Sequence, residues 1–214
     1  MFYDFANLVI RLLLFLFTRS RITGHARVPA DAPILVVANH LNLMDPPILG
    51  ALFPRRIAFM GKDELFSVPV VGWLIKEYGA FRVKRGQPDR QAIRTAKEIL
   101  QSGGAVGIFP EGTRSKTGRM NRAFPGASLL AALSGCQVIP VGISGTNQLS
   151  SPFALLRRPE ITISIGEPFR LERSKGSRDD LEQMTGLMMS RVAALLPEAR
   201  RGYYSPHPSK RSEV

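Results

Sequence analysis

Three features of the chain predict an α/β fold with a mixed, mainly parallel sheet flanked by helices. Short apolar runs recur at residues 34–38, 105–109 and 137–143. Helical patterns alternate with such runs, the clearest at 89–102, and a last one at 178–196 follows them. No glycine fingerprint of a dinucleotide fold or of a P-loop opens the first unit, so any site has to be sought at strand ends. The length of 214 residues, 44% of them hydrophobic, suits one domain with a small appendage.

The elements follow in order. Residues 1–17 make an amphipathic helix: Asp4, Asn7 and Arg11 recur at helical spacing, and Phe2, Phe5, Leu8, Val9, Leu12, Leu13 and Leu16 form a broad apolar face. The longest unbroken apolar stretch, 12–17, is far short of a bilayer span. Aromatic residues crowd the start and Arg19 and Arg21 flank the end, the pattern of a membrane-associating helix lying in the interface. The basic start and small-residue cleavage site of a signal peptide are missing. A proline-bearing connection, 26–33, leads to a buried strand at 34–38. Asp45-Pro46-Pro47 opens a helix to about residue 52, because proline suits a first helical turn. A strand at 56–60, a helical turn at 62–66 and a helix at 70–78 with Gly79 as C-cap come next. Strands follow at 79–83 and 105–109, on either side of the 89–102 helix, then a helix at 127–133 and a strand at 137–143. Residues 161–165 alternate Ile-Thr-Ile-Ser-Ile, a strand with one polar side. In the final helix Leu181, Met184, Leu187, Met188, Val192 and Leu195 make one apolar stripe, which Pro197 ends. The expected divisions are 1–24 (membrane-associating helix), 25–197 (main domain) and 198–214 (flexible tail).

Composition narrows the function. A formal net charge of +12 calls for an anionic partner. No basic run alternates with aromatics, so a phosphate pocket and an anionic membrane surface are expected and nucleic acid is not. The lone Cys136 excludes an intrachain disulfide and a cysteine-rich metal site, and with only three histidines a His-rich zinc site is not expected. Cys136 reads as a buried small hydrophobe.

Two strand ends carry chemistry. His40 follows the apolar run 34–38 and precedes Asp45 by five residues. Histidine titrates near neutrality, and a neighbouring carboxylate fixes its tautomer and steadies the imidazolium, so the pair can form a general base. In a continuous helix, residues five apart point about 140° from each other. The chain must therefore break between them, with Asp45 near a helix start. The second strand end is Phe109-Pro110-Glu111-Gly112-Thr113-Arg114-Ser115. There Gly112 permits a tight turn, Arg114 can grip a phosphate, and Glu111 can orient a backbone amide or an arginine. Lys62, Arg82, Lys84 and Arg85 are further candidate cations, Arg85 foremost.

These blocks resemble the glycerolipid acyltransferase family typified by 1-acylglycerol-3-phosphate acyltransferases. The resemblance rests on residues 39–45, with a His, four residues and an Asp. It rests also on Lys62, Glu64-Leu65, Pro69, Gly72, Gly79 and Arg85, on residues 109–115, and on Val138-Ile139-Pro140-Val141. It implies that 25–197 is an acyltransferase domain, with His40 as general base and Asp45 orienting it. It implies that Arg85, Arg114 and Lys62 hold the acceptor's phosphate in a pocket formed with Glu111, Gly112 and Thr113, and that Pro140 positions a flanking strand. The implied reaction passes a fatty acyl group from acyl-CoA or acyl-carrier protein to the hydroxyl of a lysophospholipid. No further cofactor is expected. The implied setting is the cell membrane, with a peripheral or monotopic protein whose site faces the cytoplasm. No serine or cysteine elbow is present, so direct transfer is expected rather than an acyl-enzyme. Asn42 stands where serine is frequent and Phe124 where many members carry lysine; Phe124 leaves the acceptor head group open to another lipid alcohol. The alternative of another class is a non-catalytic membrane lipid-binding protein, which would not need the His40/Asp45 pair.

Overall fold

A computed structural model describes residues 2–84, 86, 89–150, 152–172 and 177–205. Its sheet has seven strands: β1 (Arg19–Thr23), β2 (Ile34–Ala38), β3 (Ile57–Lys62), β4 (Phe81–Val83), β5 (Ala105–Ile108), β6 (Gln137–Ser144) and β7 (Glu160–Ile165). They lie in the order β1-β7-β6-β2-β5-β3-β4. The five strands from β6 to β4 are mutually parallel, whereas β7 runs antiparallel to β6 and carries β1 parallel to itself. The α-helices are α1 (Phe2–Phe17), α2 (Asp45–Leu52), α3 (Pro69–Glu77), α4 (Arg90–Gln101), α5 (Gly126–Ser134) and α6 (Arg178–Ala194). The mixed, mainly parallel α/β sheet is the one expected from sequence.

The central strand β2 explains why its run is apolar without alternation. Leu35 and Val37 face a core built with α4, α5 and α6. Ile34, Val36 and Ala38 face a second core closed by α1 and α2 through Leu14, Ile48 and Leu49. A strand covered on both sides has no polar face to offer. Pro140 stands in β6 opposite Val37, and its carbonyl accepts from Gly166 N at 2.9 Å where β7 ends. Cys136 is buried in the first core, and burial pushes its thiol pKa up.

Local signals terminate the helices. Asp89 caps α4 by accepting from Ala92 N at 3.0 Å, and Lys84 N donates to the same carboxylate at 2.8 Å. Gly79 ends α3 at φ 89°, where Ala80 N reaches Ile75 O at 2.9 Å.

Three local expectations need correction. Residues 19–23 were expected only as a basic flank to the first helix. They form edge strand β1, paired with β7 from Arg19↔Glu160 onward. In α6 the buried residues are Thr185, Met188, Met189, Val192 and Ala193, while Leu187 is exposed. Met188 and Val192 of the expected stripe are buried and Met184 packs against the same core, but the buried face extends to Thr185, which bonds Ser128 Oγ of α5 at 2.7 Å. Residues 198–205, assigned to a flexible tail, form two 3-10 turns: Met120 N and O bond Arg200 O and Tyr203 N at 3.0 Å each. Residues 206–214 lie outside the described residues.

Helix α1 docks by its polar stripe. Tyr3, Asn7 and Leu14 are its buried residues. The Tyr78 hydroxyl donates to Asn7 Oδ1 at 2.5 Å, Arg11 Nε donates to Ala51 O at 2.5 Å, and Tyr3 OH reaches Gly50 O at 3.3 Å. The apolar face points away from the protein, with Phe5 66%, Leu8 65% and Phe15 74% exposed. No helix among the described residues is long and apolar enough to cross a membrane.

Candidate active site

The parallel strands deliver their C-terminal ends to one edge of the sheet, where α/β folds hold ligands. Asn39, directly beyond β2, starts the site. Its side-chain amide donates to Ile143 O at 2.9 Å, and its carbonyl accepts from Ile143 N at 2.7 Å. This side chain imitates one more residue of the β2–β6 ladder, so the main chain can leave the sheet at His40 without orphaning Ile143.

The chain then turns between His40 and Asp45, as the spacing demands. Asp45 is the first residue of α2, and its carboxylate closes the turn. Oδ2 accepts from His40 Nδ1 at 2.8 Å, Leu41 N at 2.6 Å and Asn42 N at 2.7 Å. Asp45 N in turn donates to Asn42 O at 3.1 Å. A carboxylate at a helix N-terminus also meets the favourable end of the helix dipole. The contact with Oδ2 assigns the proton to Nδ1, leaving the Nε2 lone pair as acceptor. Nε2 has no partner among the described residues. The ring stacks on Phe109 at 4.3 Å between centroids, and His40 and Asp45 are 4% and 0% exposed. The orientation of the imidazole is thus fixed by one carboxylate and one aromatic face.

The 109–115 loop grips the same backbone. Gly112 N donates to Phe109 O at 3.0 Å, and Gly112 sits at φ 67°, which only glycine holds without strain. Ser115 N donates to His40 O at 2.8 Å. Glu111 Oε1 accepts from His40 N at 3.0 Å, and Oε2 accepts from Asn121 N at 2.7 Å. Burial pushes the Glu111 pKa up to about 7, against the pull of those two N–H donors. With 1% exposure and both oxygens engaged, Glu111 does not reach substrate. Of its expected roles, the orientation of backbone amides is the one its contacts display, through His40 N and Asn121 N. The sequence offered the amide alternative, but nothing in the heptapeptide names the partners, which lie 71 and 10 residues away.

The cations divide. Arg114 and Thr113 are exposed beside the His40 loop, and Arg114 has no ion-pair partner among the described residues. Lys62 ends β3 at the same edge and pairs with Glu64 at 3.1 Å. Arg82 is engaged by Asp63 at 3.0 Å and by the Phe66 ring. Arg85 lies outside the described residues. Asn39, Phe109 and Asn121 are site-building residues without an expected role. Asn39 and Phe109 each open one of the two motif blocks, which was the available signal for them; Asn121 carries none.

A paired histidine and aspartate beside a cationic loop at a strand edge accords with the family that the motifs resemble. The acyltransferase family model matches residues 19–144, more than half of the chain. The chain belongs to the acyltransferase family. The crystal structure of the 1-acyl-sn-glycerophosphate (LPA) acyltransferase PlsC from Thermotoga maritima superposes with a TM-score of 0.69. That match covers 91% of this chain and 76% of that chain at 28% identity. A chloroplastic 1-acyl-sn-glycerol-3-phosphate acyltransferase of Brassica napus is 31% identical over 181 residues, covering 82% of this chain and 51% of that protein. The Bacillus subtilis 1-acyl-sn-glycerol-3-phosphate acyltransferase is 29% identical over 197 residues, covering 90% and 96%. A lyso-ornithine lipid O-acyltransferase of Pseudomonas aeruginosa is 37% identical over 159 residues, covering 72% and 58%. The chain therefore spans about half the length of the Brassica relative and nearly all of the Bacillus one.

Proposed function

We propose that this acyltransferase-family chain passes a fatty acyl group from an acyl thioester to the free hydroxyl of 1-acylglycerol-3-phosphate, giving phosphatidic acid. The observation that carries the proposal is the His40–Asp45 contact of 2.8 Å, held beside the Arg114 loop. His40 Nε2 accepts the hydroxyl proton as that oxygen attacks the thioester carbonyl. A carbon–oxygen bond forms and the carbonyl oxygen becomes an oxyanion, which backbone amides of the motif loops stabilise. Collapse breaks the carbon–sulfur bond, and the leaving thiolate takes the proton back from His40. Asp45 steadies the imidazolium throughout. Arg114, Lys62 and Arg85 hold the acceptor's phosphate, and no group beyond the two substrates is needed.

The reaction takes place on a membrane. An apolar helix face turned outward supports this setting, as does a net charge of +12. Lifting an acyl chain wholly into water costs about 0.8 kcal/mol per methylene, which a protein lying on the bilayer avoids. The proposed location is the cytoplasmic face of the cell membrane, with α1 lying in the interface.

A second acceptor is favoured by one relative and one residue. The Pseudomonas protein named for a lyso-ornithine lipid is 37% identical, and Phe124 stands where the family resemblance leads one to expect a lysine. The test supplies purified protein with radiolabelled acyl-CoA or acyl-carrier protein and with lysophosphatidic acid or lyso-ornithine lipid. Transfer to lysophosphatidic acid that disappears in His40→Ala is expected. No transfer to any acceptor, or full activity in that variant, would sink the proposal. Preference for lyso-ornithine lipid would move the acceptor and keep the chemistry.

A further inference from the structure

A groove of about 700 Å³ lies between residues 122–125, the C-terminal 3-10 turn and the N-terminal half of α6. It falls within the range of about 300–1,000 Å³ typical of small-molecule sites. Phe124, Tyr203, Leu181, Arg122, Arg178 and Glu182 line it. Apart from Phe124, weighed above for the acceptor, none of the six has a role in the chemistry derived above.

The groove adjoins the catalytic loop. Phe124 N donates to Pro110 O at 2.8 Å. A methyl group at Gly112 would stand 3.0 Å from the Phe124 ring. Ala123 N donates to Tyr204 OH at 2.9 Å. Residues 123–124 therefore form the partition between groove and catalytic loop. Two aromatic faces stay open inside it, with Phe124 59% and Tyr203 57% exposed. Open aromatic faces in a recess stack planar rings.

Its charges are loosely committed. Glu182 faces both arginines, but at 3.6 Å from Arg122 Nη2 and 3.4 Å from Arg178 Nε. Charge-assisted pairs close to about 2.7–2.9 Å when well made. The arginine side chains are 64% and 89% exposed, leaving most of their N–H donors free for a stronger anion. Arg122 also lies 6.0 Å from the Tyr203 ring centroid.

We propose that this groove holds the adenine nucleotide end of acyl-CoA. The base lies against Phe124 and Tyr203, Arg122 and Arg178 take the phosphates, and the pantetheine arm passes the Phe124 partition toward His40. An aromatic recess with arginines offers a purine and its phosphates what they need, whereas an acidic carrier protein needs a broad basic face. This inference rests on the transferase reading and adds the class of donor to it. It also gives Phe124 a reason to be aromatic where a lysine is frequent.

The test measures desulfo-coenzyme A binding to the full chain by calorimetry, with 4′-phosphopantetheine as the probe lacking the nucleotide. Tyr203→Ala and Arg178→Gln each weaken desulfo-coenzyme A about tenfold, the loss expected for one stacked base or one phosphate contact. Glu182→Gln releases both arginines and tightens binding about threefold. In steady-state assays the first two variants raise KM for acyl-CoA and leave kcat largely intact. No binding by the parent chain, or equal binding by all variants, overturns the groove. A parent chain that binds desulfo-coenzyme A but transfers no acyl group keeps the groove and strikes the transferase reading. Transfer that persists while the groove variants behave like the parent does the reverse.

Discussion

At the scale of single residues, Asp45 shows how little chain is needed to aim a histidine. One oxygen collects the imidazole N–H and two backbone amides, so the turn and the tautomer are fixed by the same atom. Removing the proposed base by His40→Ala is expected to lower kcat by about 10²–10⁴ with little change in fold, measured by acyl transfer and circular dichroism. Asp45→Asn keeps the size and can turn its carbonyl oxygen to the three donors, but as a weaker acceptor, and it buries an N–H₂ where Oδ1 has no partner among the described residues. A fall in kcat and a loss of stability of about 1–3 kcal/mol are expected together. Glu111 makes the stability depend on pH. Its pKa near 7 in the fold exceeds the ordinary 4.5, so the folded chain binds this proton more tightly than the unfolded chain does. That contribution is complete below about pH 4.5 and disappears as pH rises through about 7, a change of up to about 3 kcal/mol. Urea unfolding at pH 5 and pH 8 should show the parent chain losing this amount relative to Glu111→Gln. Equal pH dependence in the two chains would contradict it.

At the scale of elements, α1 has the reverse of the usual polarity for a helix on a globular core. Its hydroxyl, amide and guanidinium groups face the protein, and apart from the buried Leu14 its leucines face out with Phe5, Phe15 and Phe17. Tyr78→Phe strands the Asn7 carbonyl in a buried place and should cost about 1–3 kcal/mol, read from denaturant midpoints. Replacing Leu8, Leu12 and Phe15 together by serine should leave that midpoint nearly unchanged and sharply reduce sedimentation with vesicles. The amphipathic spacing of α1 was legible because Asp4, Asn7 and Arg11 recur every turn; which side faces the protein is set by Tyr78 and Gly50, which local periodicity does not encode. Strand β1 escaped notice for a related reason. Arg-Ser-Arg-Ile-Thr has an exposed edge and little apolar content, and only its pairing with β7 makes it a strand. Buried strands were easy to find because burial on both sides leaves an unbroken apolar run.

On the scale of the whole molecule, the sheet order was beyond the reach of sequence patterns, since runs of valine and isoleucine do not name their neighbours. The site's two halves were still visible because each sits within seven residues of a strand end. Their junction was not, because it runs through Glu111 and two backbone amides. The excess of positive charge belongs to this scale as well. Partition onto vesicles containing anionic lipid should weaken as salt rises from about 0.1 M to 1 M, where the screening length falls from about 10 Å to 3 Å. Binding to neutral vesicles should change little over that range.

The docking of α1 sets the order of synthesis against the order of assembly. The helix leaves the ribosome before its partners do: the groups that satisfy its polar stripe lie 40, 47 and 71 residues further along the chain. Until Tyr78 has emerged, Asn7 has only water or lipid head groups to bond, while the leucine face is already complete. A nascent chain arrested before residue 78 is therefore expected to cofractionate with membranes ahead of any folded domain. On the proposed function, the chain would then fold where its lipid acceptor already is.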